Sequence, residues 1–104
     1  MARFDVYRHP DAKLRATTPF LLDVQNEHIS GLQTRVVVPL RRAERVPVPL
    51  GDLNPVLDIE GEAVVLDTAA LAAVPLSFLK KPVANLRAHA NLVTNALDAL
   101  FGAF

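Results

Sequence analysis

Residues 83–104, VANLRAHANLVTNALDALFGAF, form the one stretch of this 104-residue chain that has a long helical period. Pro82 cannot lie inside a helix, and Gly102 is a favoured residue at a helix end. We therefore predict a C-terminal helix of about four to five turns that starts at or after Pro82. Spacings of three and four place six apolar residues on one stripe of this helix: Leu86, Ala90, Val93, Leu97, Leu100 and Phe104.

The opposite side of the predicted helix is polar. Asn91, Asn95 and Asp98 recur at spacings of four and three there. The simplest interpretation is an amphipathic helix that packs its apolar stripe on a sheet. The polar side then faces water or a partner.

Short β-type segments precede the helix, and we predict that they form an antiparallel sheet of five or six strands. Phe20, Leu22 and Val24 alternate onto one face of the second strand. Glu60-Gly61 has the length and composition of a tight hairpin loop. The predicted strands cover residues 4–8, 20–25, 35–40, 56–59, 62–66 and 74–79.

The connections are rich in proline or alanine. Pro39 predicts that the third strand reaches a sheet edge, where a missing N–H costs no hydrogen bond. Residues 10–19 are predicted to be a surface loop, and residues 41–55 a long connection that includes an edge strand at 45–48. Residues 68–73 are predicted to form one helical turn. The fold class is mainly β, with one C-terminal helix.

Composition limits the classes of function. The chain has no cysteine, which excludes disulfides and Cys-ligated zinc, and its eleven basic and eleven acidic residues cancel. No global charge attracts nucleic acid. The N-terminus has no apolar targeting segment, and no run approaches the roughly 18 apolar residues of a membrane span. We expect one cytoplasmic domain, residues 1–104, with no membrane partner.

No residue pattern indicates catalysis or a cofactor. His9, His28 and His89 lie far apart and form none of the usual metal-binding spacings. Ser30 and Ser77 lack the context of a nucleophile, and there is no phosphate-binding glycine loop. The residues predict a binding protein and not an enzyme, with no metal and no cofactor.

Hydrophobic residues make up 51% of the chain, which is high for a small sheet covered by one helix. A symmetric homodimer would bury the excess apolar surface. We therefore expect the protein to pair with a second copy.

The ordered spacing of several segments resembles the CcdB family across nearly the whole chain, with a longer loop here at residues 10–19. The segments that carry the resemblance are Asp23-Val24-Gln25, Arg35-Val36-Val37-Val38-Pro39-Leu40, Leu53-Asn54-Pro55-Val56 with Ile59, Ala72-Ala73-Val74-Pro75-Leu76-Ser77, Val83-Ala84-Asn85-Leu86, and Asn95-Ala96-Leu97 with Leu100-Phe101.

This resemblance implies an SH3-like barrel with a C-terminal helix, a homodimer and no catalytic site. Toxins of the family bind the dimerisation region of the gyrase A subunit and trap the enzyme with its DNA cleaved. A CcdA-like antitoxin, whose disordered C-terminal segment folds onto the toxin dimer, neutralises them. The resemblance thus implies a gyrase poison that makes no direct contact of its own with nucleic acid.

The resemblance also assigns candidate contacts, with departures from the family pattern. The family's final Trp-Gly-Ile corresponds to Gly102-Ala103-Phe104, and an isoleucine pair corresponds to His28-Ile29. Phe101 aligns with a family phenylalanine and is expected in the core or the dimer seam, whereas Phe104 is expected to be the exposed anchor. The predicted gyrase contacts are His28, Ile29, Asn95, Asp98, Phe101, Gly102, Ala103 and Phe104.

The antitoxin segment is expected to be acidic and to bind away from the helix end, where positive charge attracts it. The residues predicted to supply that charge are Arg8, Arg41, Arg42 and Arg45.

Two alternatives remain open. The first is a CcdB-like homologue that dimerises and binds antitoxin but does not poison gyrase. The second is a MazF-like endoribonuclease, because such toxins share the SH3-like barrel, and a fold alone does not decide a function. The ribonuclease would need basic and acid–base side chains around one groove, and the sequence hints at it with the cluster Arg35, Arg41, Arg42 and Arg45.

Overall fold

The computed structural model describes residues 1–29 and 31–102, which form an antiparallel, barrel-like sheet followed by one helix. This confirms the predicted mainly β class. In chain order the elements are β1 (Asp5–Arg8), β2 (Phe20–Asp23), β3 (Thr34–Arg42), β4 (Val56–Ile59), β5 (Glu62–Leu66), β6 (Ala72–Pro75), β7 (Ala84–Asn85) and α1 (Ala90–Phe101).

The strand order is β4-β5-β3-β2-β1-β7, and β6 also pairs with β3. Short 3-10 turns lie in the connections, at Leu14–Ala16, Ala43–Arg45, Gly51–Leu53, Thr68–Ala70, Leu76–Phe78 and Arg87–His89. The turn at Thr68–Ala70 confirms the predicted helical turn in residues 68–73. The part of the chain that the structure describes holds no helix with the length and apolar character needed to cross a bilayer.

Strand β3 is central, and the prediction that Pro39 lies at an edge is wrong. On one side β3 pairs with β2 throughout Val37–Leu40, while on the other side it pairs with β6 up to Val37 and with β5 from Leu40 onward. The Pro39 carbonyl, on this second side, accepts the Asp67 N–H at 3.0 Å. At Pro39, β3 no longer pairs with β6 and does not yet pair with β5. The missing N–H of Pro39 therefore removes no hydrogen bond between strands.

The hairpin of β4 and β5 forms as predicted. Glu60 and Gly61 both have positive φ, 54° and 82°, which is the requirement of the tight turn that matches the twist of two antiparallel strands. The Gly61 N–H donates to Asp58 Oδ1 at 3.0 Å.

Side chains on both faces of β2 are buried. Phe20, Leu22 and Val24 lie in the main core, as the alternation predicted, together with Val93 and Ala96 of α1. The other face of β2 belongs to a second, smaller apolar cluster that contains Tyr7, Leu21, Val37 and Leu79. The apolar stripe of α1 thus closes the main core, while the second cluster covers the outer face of the sheet.

The predicted helix of four to five turns is too long, because α1 begins only at Ala90 and has 12 residues. Ala84–Asn85 instead forms β7 against the open edge of β1, and the Leu86 N–H donates to the Phe4 carbonyl at 2.8 Å. Backbone pairing with β1 has replaced the helical turns that local sequence favours. Leu86 is buried as predicted.

The predicted helix end is confirmed. Gly102 adopts the left-handed conformation, φ 76° and ψ 37°, and its N–H donates to the Asp98 carbonyl at 2.9 Å. A residue without Cβ adopts this conformation at the lowest cost. Phe104, the last predicted member of the apolar stripe, lies outside the described residues.

Two further strand predictions are corrected. Residues 45–48 form no strand, because the chain makes the 3-10 turn Ala43–Arg45 and then continues through the exposed Pro47 to Pro49 segment. The strand predicted at residues 74–79 is instead β6, which covers Ala72–Pro75. It ends there because the chain turns at Leu76–Phe78, starting with a hydrogen bond from the Leu76 N–H to the Gln33 carbonyl.

Candidate protein-binding site

The loop between β2 and β3 presents two of the predicted contacts to solvent. His28 and Ile29 are exposed, Ile29 to 46%. Asn26 shapes the turn that carries them: its Oδ1 accepts the His28 N–H at 2.9 Å and its carbonyl accepts the Ile29 N–H at 3.1 Å. The loop therefore holds an apolar side chain in water, which is a feature of contact surfaces when other exposed apolar groups adjoin it.

Such groups do adjoin Ile29. It lines a cavity of about 230 Å³ together with Met1, Leu32 and Leu76, all of which are exposed hydrophobic residues. We call these four residues the loop patch. Sequence periodicity could not reveal it, because its members come from three separate parts of the chain.

A buried polar cluster supports the loop patch from below. The Asp23 carboxylate is fully buried and pairs with the Arg35 guanidinium, which is 7% exposed, through Nε at 2.9 Å and Nη2 at 2.7–2.8 Å. Asp23 Oδ1 also accepts the Gln25 N–H at 3.0 Å. Arg35 thus belongs to the interior of the protein and not to a basic surface.

The end of α1 presents the second group of predicted contacts. Asn95 is exposed, Asp98 is half-buried and Phe101 is 70% exposed. The exposure of Phe101 excludes the core of the single chain, one of the two places predicted for it, and leaves the dimer seam. Ala103 and Phe104 lie outside the described residues.

The loop patch and the end of α1 occupy separate places on one chain. Helix α1 packs on the turns Gly51–Leu53 and Thr68–Ala70, and the cavity beside Ile29 has no lining residue from α1. An ion pair between Arg87 and Glu27, at 3.6 Å, joins the loop to the turn that precedes α1. The candidate gyrase contacts within residues 1–29 and 31–102 therefore lie in two separate places on the chain.

The predicted antitoxin-binding arginines lie at the surface, and three of them have acidic neighbours. Arg8 pairs with Glu60 and Arg42 with Glu62, both at 2.9 Å, and the pairs are partly exposed. Arg41 lies 3.9 Å from Asp67, and Arg45 is exposed. The local positive charge is thus partly compensated, which the sequence did not indicate.

A basic cleft lies beside Arg8, and most of its lining residues were not predicted from the sequence. Its volume is about 310 Å³, and its lining includes Arg8, Arg15, Lys80, Lys81, Tyr7 and Phe78. Burial, reinforced by the charges of Asp5 and Asp23, raises the pKa of Tyr7 to about 12. In the sequence, the Lys80-Lys81 pair was the available signal for this cleft. Only the folded chain shows that the pair lies beside the loop at residues 10–19.

The arginines that the ribonuclease hypothesis requires do not meet around one groove. Arg35 is buried beside Asp23, whereas Arg42 lines a cavity of about 280 Å³ with Glu44 and Glu62. Arg42 and Glu62, which both line this cavity of about 280 Å³, are already paired with each other.

His9 is held within its own loop. His9 Nδ1 accepts the Asp11 N–H at 3.0 Å, and burial lowers the pKa of His9. No group of three or more His, Asp or Glu side chains suited to a metal ion occurs within residues 1–29 and 31–102.

Comparison with protein families gives a match that spans nearly the whole chain. Residues 3–102 match the family described as CcdB protein. The matched range includes the loop patch from Ile29 onward and all of α1.

Proposed function

Because this chain belongs to the CcdB family of toxin–antitoxin toxins, we propose that it acts as a homodimer that binds the dimerisation region of the gyrase A subunit. Binding would poison gyrase without any catalytic step by the toxin, and a CcdA-like antitoxin would neutralise it. Gyrase acts in the cytoplasm, and we propose the same compartment for this protein.

The observation that carries this proposal is the family match over residues 3–102, which includes His28, Ile29 and all of α1. Two exposed apolar side chains give it physical support: Ile29 in the loop patch for the gyrase contact, and Phe101 at the end of α1 for the dimer. Apolar and aromatic side chains that a partner desolvates supply most of the affinity of protein interfaces. A two-fold dimer would present each patch twice.

The direct test measures gyrase inhibition. Purified protein is incubated with gyrase and supercoiled plasmid, and cleaved-DNA complexes are counted after denaturation of the enzyme. We expect cleaved complexes to accumulate with added protein. Full supercoiling activity, combined with no binding to a gyrase A fragment that contains the dimerisation region, would favour the homologue that keeps only dimerisation and antitoxin binding.

Removal of Ala103 and Phe104 is expected to weaken binding to the gyrase A fragment by about 1–3 kcal/mol. Phe104 takes the place of the family's terminal anchor, and an aromatic side chain contributes when it enters a pocket of the partner. Dimerisation and folding should stay nearly unchanged, because the helix is already capped at Gly102. Calorimetric titration measures the loss, and equal affinity of the two forms would show that these two residues do not contact gyrase.

Changing Arg8, Arg41, Arg42 and Arg45 together to alanine is expected to slow antitoxin association by about tenfold, with a smaller effect on dissociation. The change removes positive charge and also leaves Glu60, Asp67 and Glu62 without their partners, so an acidic segment is repelled. Stopped-flow mixing at two salt concentrations measures this, since salt should reduce the difference. An unchanged association rate would show that the antitoxin binds elsewhere.

The ribonuclease hypothesis is tested separately with labelled RNA. The observation in its favour is the cavity in which Arg42 lies beside Glu44 and Glu62. We expect no cleavage that depends on these residues. Reproducible cleavage that disappears in the Arg42→Ala variant would overturn the proposal of a non-enzymatic toxin.

A further inference from the structure

We propose that Asp23, Arg35 and Gln25 are positioning residues that hold the β2–β3 loop in the geometry required for partner binding. This inference rests on the proposed function, because the partner it concerns is the gyrase A subunit. None of the three side chains belongs to the predicted contacts. Their contribution would act through His28 and Ile29, which lie on the same loop.

The three side chains tie together the two ends of the loop. Asp23 is the last residue of β2, and Arg35 is the second residue of β3. Besides its pair with Asp23, Arg35 donates from Nη2 to the Gln25 carbonyl at 3.3 Å. In the opposite direction, Gln25 Oε1 accepts the Val36 N–H at 3.0 Å. Entry and exit strands of the loop are therefore joined by side chains as well as by the sheet.

The geometry of the pair matters more than its charge. Arginine presents a planar fork of donors that matches both carboxylate oxygens at once, and the observed contacts use that fork. Lysine would keep the positive charge, but its single nitrogen cannot form the two parallel bonds that a planar fork makes to a carboxylate. A charge-conserving substitution thus separates orientation from electrostatics.

Burial of the pair also favours a role in geometry over one in stability. Removing two charges from water costs free energy that their attraction offsets only in part, so buried pairs are weak sources of net stability. What such a pair does provide is a unique arrangement of the segments that it joins. A loop that is already ordered loses less conformational entropy when a partner binds it.

The test compares wild type with Arg35→Lys by hydrogen exchange and by binding to the gyrase A fragment. We expect the His28 and Ile29 amides, whose hydrogen bonds to Asn26 define the turn, to exchange roughly tenfold faster in the variant. Core amides of Val38 and Val64 should change much less. The dissociation constant for the gyrase A fragment should rise about fivefold to tenfold.

A second pair of variants leaves Asp23 and Arg35 themselves unchanged. Gln25→Leu removes the acceptor of the Val36 N–H, and Gln25→Glu retains one. We expect the leucine variant to reproduce the effects of Arg35→Lys and the glutamate variant to stay close to wild type. The control is Arg15→Lys, since Arg15 is an exposed arginine that donates from Nε to the His9 carbonyl in another loop, and it should alter neither measurement.

The outcomes separate this inference from the proposed function. If wild type binds gyrase and Arg35→Lys leaves both affinity and loop exchange unchanged, the positioning role is overturned. Equal acceleration of loop and core amides would overturn it as well, because it would indicate a general loss of stability. If wild type itself does not bind gyrase, the proposed function fails, whereas selective acceleration of the loop amides would still support the positioning role.

Discussion

Asp23→Asn is expected to destabilise the folded protein by about 3–5 kcal/mol, because it removes one partner of a buried ion pair and leaves the other charged. The guanidinium of Arg35 is only 7% exposed, so water replaces little of the lost contact. The amide oxygen introduced by the substitution can accept from one guanidinium nitrogen of Arg35. The amide NH₂ group, however, then faces the other guanidinium N–H donors. Urea unfolding measures the change as a shift of the midpoint at constant slope.

The matched control is Glu62→Gln, which breaks the pair with Arg42 at the same 2.9 Å separation. These side chains are 41% and 31% exposed, so water replaces the lost partner and the cost should be at most about 1 kcal/mol. The double variant Asp23→Leu with Arg35→Met should recover much of the lost stability, since it leaves no unpaired charge. A loss below 1 kcal/mol for Asp23→Asn would contradict this account of the site.

Phe101→Ala is expected to weaken the proposed dimer by about 2 kcal/mol, a change of roughly thirtyfold in the dissociation constant. Phe101 is 70% exposed in the single chain, so its truncation removes almost no contact within one protomer. An aromatic side chain left in water at the end of a capped helix gains most when a second copy covers it. Sedimentation over a concentration series measures the equilibrium, and the unfolding free energy of the dissociated chain should stay nearly constant.

Phe78→Ala provides the matched control for Phe101. It is an exposed phenylalanine, 41% accessible, in the turn after β6 and not on α1, and its loss should leave the dimer intact. We expect wild type to be dimeric at micromolar concentration. A single 11.3 kDa species at that concentration, or a Phe101→Ala variant that dimerises as strongly as wild type, would exclude this role.

Local patterns were sufficient for part of this fold. The alternation of Phe20, Leu22 and Val24 correctly predicted the core face of β2, because every second side chain of a strand points to the same side. Glu60-Gly61 predicted the hairpin, since the turn requires positive φ at both positions. The helix end at Gly102 was predicted for a similar reason, because glycine adopts positive φ at the lowest cost.

The candidate site was predicted less completely. The resemblance pointed to His28 and Ile29, which the structure places in water on a short turn. Met1, Leu32 and Leu76 of the loop patch were not predicted, because residues distant in sequence meet there. The basic cleft beside Arg8 was missed for the same reason.

The sequence by itself determined those features that depend on a few neighbouring residues: the strand faces, the hairpin and the capped end of α1. Only the tertiary structure decided where the helix begins, because the open edge of β1 captures Ala84–Asn85 as β7. It also decided the role of Arg35, which was interpreted as part of a basic cluster and is instead buried against Asp23. In both cases the deciding hydrogen bonds join residues from different elements, so no local pattern of the sequence reports them.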